Sequence, residues 1–137
     1  MKFDELKLLV AINRLKPKGD PVTDEARWKF AIRIRDTYTT LYGEIAFPWS
    51  VSEVIALAVS WRKHAATKMK AEVANVHGYK CFWTNRNKGP CWEEVEGGHV
   101  VARANGGGDL SVVNGRIEWR THNNQRRARN IDAYLMS

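Results

Sequence analysis

In the first half of the chain apolar residues return every three or four positions; in the second half they come in short runs broken by glycine and asparagine. The first spacing marks one face of a helix, and the second marks strands joined by loops. Residues 1–76 therefore read as helical. Phe3, Leu6, Leu9 and Ile12 form a first stripe, which Pro17, Gly19 and Pro21 interrupt. Thr23 is the expected N-cap of a second helix whose Phe30, Ile34, Tyr38 and Leu41 share a face. Gly43 should end that helix, because glycine adopts the left-handed turn at a helix end without steric penalty. Ser50 and Glu53 stand at capping-box spacing, and Trp49 ahead of them is placed to staple onto Val54. A third helix then turns Val54, Leu57, Trp61, Ala65, Met69 and Val73 inward.

After residue 76 strands and loops dominate. Tyr79–Trp83 and Val95–Val101 are expected strands, Asn105–Asp109 ("NGGGD") a loop, Arg116–Trp119 a further strand, and Thr121–Tyr134 a closing helix capped by Thr121. "NRNKGP" reads as a turn between Cys81 and Cys91. The expectation is an α+β fold in one domain, 1–137, with a helical scaffold over 1–76 and a strand–loop–strand–helix subregion over 77–137. His77, in "NVHGYK", falls at a helix end.

Composition narrows the class of partner. The 137 residues are 44% hydrophobic, enough for one core, and carry a net charge of +7 with a pI near 9.6. A basic surface attracts polyanions at long range and releases counterions on contact, so nucleic acid is the expected partner. Arg27, Arg33, Arg35, Arg62, Lys63, Lys68 and Lys70 lie off the apolar stripes. Such charges either flank a phosphate backbone or form a solvated face, and the solvated face is the commoner outcome. Trp28 and Trp61 are expected to pack rather than stack on bases. No apolar run reaches the roughly 18 to 20 residues of a spanning helix, and "MKFDELKLLV" has early acids where a secretion signal needs a basic and then apolar stretch. A cytoplasmic chain with reduced cysteines follows as the expectation.

The chemistry concentrates in "EGGHVVARANGGGDLSVVNGRIEWRTHNNQRR", residues 96–127. Phosphodiester hydrolysis needs a water deprotonated for attack and positive charge on the oxygens that gather charge. A neutral imidazole, with an ordinary pKa of about 6.5, supplies the first, and a divalent cation the second. His99 follows an apolar stretch and precedes Val100 and Val101, so a strand can present it rigidly.

The stretch from Cys81 to Arg127 resembles the HNH endonucleases of the His-Me finger, or ββα-metal, family. The family's three named positions read here as His99, Asn114 and Asn123, supported by Gly106, Gly107, Asp109 and Leu110 and by "NGRIEWRTHN". The resemblance covers about a third of the chain and implies a metal-dependent DNA endonuclease. In it His99 would be the general base, Asn114 would hold the loop and orient the histidine, and Asn123, with His122 beside it, would bind the metal. Arg103, Arg120, Arg126, Arg127 and Arg129 would contact double-stranded DNA. Mg²⁺ or Mn²⁺ is the implied ion, and a histidine ligand would shift preference toward Mn²⁺, Ni²⁺ or Zn²⁺. The compact form resembles phage-type or mobile-element nucleases.

Two departures qualify this expectation. The family commonly has an aspartate before the histidine, where this chain has Gly98; Glu94, Glu96 and Asp109 are substitutes by nearness in sequence only. Many members also hold a structural zinc with two cysteine pairs, which here read Cys81 with Thr84 and Trp119 with His122. Half a ligand set does not make a four-coordinate site, so no structural zinc is expected. The competing expectation is a non-cleaving DNA-binding or protein-interaction module on a decayed nuclease fold.

Overall fold

A computed structural model describes residues 3–43, 46–78, 95–99 and 111–119. They form four helices and one antiparallel strand pair, an α+β arrangement: α1 (Phe3–Leu15), α2 (Asp24–Tyr42), α3 (Val51–Lys63), α4 (Ala65–His77), β1 (Val95–His99) and β2 (Gly115–Trp119). Two compact units divide the chain, Lys7–Lys68 and Met1–Leu6 with Met69–Ser137, so that α1 and α4 each cross a boundary. The change of character at residue 76 is a boundary of composition, and the one after Lys68 is a boundary of contacts. Among the described residues no helix is long and apolar enough to cross a membrane.

The helix starts and stops follow local chemistry. Ala26 N–H donates to Thr23 Oγ1 at 3.1 Å, and Gly43, at φ 86°, returns its N–H to Thr39 O at 2.8 Å. At α3, Glu53 N–H donates to Ser50 Oγ and Ser50 N–H donates to Glu53 Oε1 at 3.0 Å, the full capping box. Hydrogen bonds to the Glu53 carboxyl, first from the backbone N–H of Ser50 and then from its side chain, hold it below its usual range. α1 ends differently. Lys16 takes φ 49° and bonds Ile12 O, placing a side-chain-bearing residue where glycine is usual, ahead of Pro17.

α1 buries more than its expected stripe: Leu8, Val10, Ala11 and Asn13 are as covered as Leu6, Leu9 and Ile12. A helix apolar on all sides is a helix covered on all sides. Asn13 is the polar exception, and its Oδ1 accepts from buried Trp61 Nε1 at 2.9 Å. Phe30, Ile34 and Tyr38 of α2 are buried as expected. Tyr38 also meets Phe47 and Trp49 edge-on, with centroids 5.4 and 5.3 Å away, fastening the segment before α3 to α2.

Two expectations on this unit need correction. Trp28 does not pack: 59% of its surface is exposed, because it stands two residues from Phe30 and so almost opposite it on the helix. The single long third helix is two helices. His64 is extended at φ −118° and ψ 113°, yet its N–H bonds Ser60 O and its carbonyl accepts from Lys68 N–H, so the ladder resumes at once. The corner turns Ala65 to solvent and leaves Leu57 and Met69 half-buried, whereas Val54, Trp61 and Val73 are buried as expected.

Beyond α4, Gly78 at φ 92° closes the helix by donating to Ala74 O, which leaves His77 as its last residue. The strand pair runs Val95↔Trp119, Glu96↔Glu118, Gly97↔Ile117, Gly98↔Arg116 and His99↔Gly115. Both strands fall within or beside their expected spans. The expected strand at 79–83 and the closing helix at 121–134 lie outside the described residues.

Candidate functional site

The strand pair sets the positions of the residues singled out from sequence. His99 is the last residue of β1 and faces Gly115, the first of β2, across the ladder. Asn114 immediately precedes β2, so positions 99 and 114 meet at one end of the pair. Asn114 is half-buried, and its N–H donates to Ser111 Oγ at 3.0 Å, closing a short turn that leads into the strand. His122, Asn123, Arg103, Arg120, Arg126, Arg127 and Arg129 lie outside the described residues, as do Cys81, Cys91, Glu94 and Asp109.

The alternation of a strand sorts the rest into two rows. Gly97 and His99 share a row with Gly115 and Ile117, and Ile117 is 1% exposed. Glu96, Gly98, Arg116 and Glu118 occupy the other. Glu96, near His99 in sequence, is thus in the opposite row and directly across from Glu118, which is fully buried. Gly98, where the resemblance expects a carboxylate, stands across from Arg116. Among the described residues no three His, Cys, Asp or Glu side chains gather as metal ligands do.

A contact that the motif does not contain ties the turn down. His77 Nε2 lies 2.6 Å from Val112 O and 3.0 Å from Arg116 Nη1, while Arg116 Nη1 also donates to Gly115 O at 2.6 Å. With Nε2 protonated, the ring donates to Val112 O; with Nε2 bare, it accepts from the guanidinium. In the first state the end of α4 is pinned to the turn that delivers Asn114, and in the second to β2. Sequence reasoning placed His77 at a helix end and stopped there. Its partners are 35 and 39 residues away, and no local spacing carries that information.

A shallow depression in the helical unit is lined by Arg14, Asp36, Thr37, Thr40 and Leu41. Its hydroxyls are already committed, Thr37 to Arg33 O and Thr40 to Asp36 O. It offers no activated nucleophile. No family model, curated protein or solved structure matches the chain.

Proposed function

We propose that the chain is a metal-dependent DNA endonuclease of the HNH type, with the ββα-metal motif in residues 77–137. The observation that carries the reading is the register of the strand pair: His99 ends β1 opposite Gly115, with Asn114 next to it in the adjoining turn. A base at the end of a strand is held by the ladder, and an asparagine in a turn pinned at Ser111 and at Val112 is held on the facing side.

His99 takes the proton of the attacking water, acting as general base. Asn114 orients the imidazole and fixes the turn. His122 and Asn123 would hold the divalent ion, and the arginines at 103, 120, 126, 127 and 129 would grip the phosphate backbone of duplex DNA. The bound ion supplies positive charge for the oxygens of the scissile phosphate. We place the protein in the cytoplasm.

Gly98 supports a second reading, a decayed nuclease fold that binds DNA or protein without cutting. It removes an anionic ligand, and the register puts Glu96 in the row away from His99. The experiment that separates the two is incubation of supercoiled plasmid with the protein and Mg²⁺, Mn²⁺, Ni²⁺ or Zn²⁺, with EDTA and His99→Ala as controls. The nuclease reading expects nicked or linear product that EDTA and His99→Ala abolish. Retardation without product in every metal supports the decayed fold, and cutting that survives His99→Ala rejects the mechanism.

A further inference from the structure

More of the net positive charge lies in the helical unit than in the motif. The helical unit Lys7–Lys68 holds eleven Lys and Arg against six Asp and Glu, and so most of the net +7. Within the unit the cations are unevenly matched. On α2 the exposed Lys29 pairs with Glu25 at 2.9 Å and Arg35 lies 3.9 Å from Asp36, so neighbouring acids cancel much of its field. From Glu53 to Glu72, by contrast, no acid interrupts the chain, although Arg62, Lys63, Lys68 and Lys70 lie between them.

The break at His64 gathers several of these cations at one corner. Ser60 and Thr67 hydroxyls, 3.3 Å apart, draw the first turn of α4 onto the last turn of α3. Lys68 Nζ sits 4.6 Å from the centroid of the ring of Trp61, the residue before Arg62. Arg62 in turn fixes the α1–α2 linker: its Nε donates to Asp20 Oδ1 at 2.9 Å and its Nη2 to Asp20 Oδ2. Lys18 is two residues from Asp20, at most about 7 Å of chain. Lys18, Lys63, His64 and Lys68 are all exposed. Arg62 bonds the Asp20 carboxylate, which also feels the charge of Lys63, so one carboxylate is shared between two cations at this corner.

We propose that this corner of the helical unit, centred on Lys18, Lys63 and Lys68, is a docking surface for the phosphate backbone of duplex DNA, separate from the strand pair. It rests on the reading of the chain as a DNA-acting protein, but not on catalysis. Lysines on exposed helix ends contact phosphate as point charges and carry no base information. The surface therefore supplies affinity and salt dependence without sequence preference.

The test is equilibrium binding of a fluorescent 30-base-pair duplex in EDTA across a salt series. Each phosphate contact contributes about 0.9 to the slope of log K against log salt, so Lys18→Gln/Lys63→Gln/Lys68→Gln should make the slope shallower by roughly 2 to 3. Lys29→Gln/Arg33→Gln/Arg35→Gln on α2 removes the same charge and should change it much less. The double variant Lys18→Gln/Lys63→Gln leaves the cover of Trp61 intact and should lose roughly 2 units if the triple variant proves unstable. A parent slope retained by the corner variants overturns the proposal. So does equal loss in the α2 variant, and so does a parent that binds anionic vesicles but no duplex. A parent that binds duplex with the expected corner dependence yet cuts no plasmid sinks the nuclease reading and leaves the surface standing.

Discussion

The helical unit and the strand pair achieve order by different means. In Lys7–Lys68 buried apolar residues from three helices accompany a buried polar bond, Trp61 to Asn13. The strand pair has five residues per strand, three of its ten positions are glycine, and a fully buried glutamate sits across from another. A two-stranded pair of that length has little apolar area to bury, and an isolated one is marginal in water. Its turn is held instead by polar contacts, from His77 and from Ser111. Substitutions in the helical unit should therefore register as stability, and substitutions at the end of the strand pair as chemistry.

That contrast is breakable. The largest expected effect is on the chemical side: under the proposed nuclease reading, His99→Ala lowers plasmid cleavage by about 10²- to 10⁴-fold, the usual contribution of a general base, with an unchanged Tm. A loss of Tm matching the loss of cutting would make His99 a structural residue. On the other side, Trp61→Phe keeps most of the ring's apolar area but leaves Asn13 Oδ1 without its indole donor at 2% exposure. Urea unfolding should show a loss of about 1–3 kcal/mol; a near-neutral result would mean that the buried amide has another partner. Smaller still, Ser50→Ala removes one half of the capping box and should cost about 0.5–2 kcal/mol, with cleavage at the parent rate. Lost cleavage at retained stability would show that the two regions are coupled.

The mildest effect is a pH dependence. The hydrogen bond from Arg62 holds the Asp20 carboxyl below its ordinary range, reinforced by the charges of Arg62 and Lys63 and opposed by partial desolvation. A depressed carboxyl stabilises the fold fully above its unfolded pKa, about 4, and loses that contribution as pH falls through its folded value. Asp20→Asn should therefore flatten the acid limb of a Tm-against-pH curve below about pH 4, with only a small loss at neutral pH. Parallel acid limbs in parent and variant would remove the link between the α1–α2 linker and α3.

Much of the helical unit was legible because its signals are local. Thr23, Gly43 and the Ser50–Glu53 pair act on backbone groups within four residues, and each does what its spacing implies. The break at His64 was not legible, since neither glycine nor proline marks it and the hydrogen-bond ladder closes on both sides of it. Trp28 was misread from its residue type, when its phase relative to Phe30 and Ile34 already put it outside. At the candidate site the strands around His99 and Arg116 were readable from apolar runs between turn residues. The clamp from His77 was not, because hydrogen bonds across 35 residues leave no periodic trace.

From sequence alone came the helix caps, the apolar stripes of α1 and α2, the basic balance and the choice of His99, Asn114, His122 and Asn123 as candidates. These depend on residue type and short-range spacing, which a linear string preserves. Only the tertiary structure decided that 99 and 114 meet at one end of a ladder, that Glu96 falls in the row away from His99, and that Arg62 is tied to Asp20 and Lys68 to Trp61. Register and helix breaks set those neighbours, and both result from competition among distant side chains for burial and hydrogen bonds.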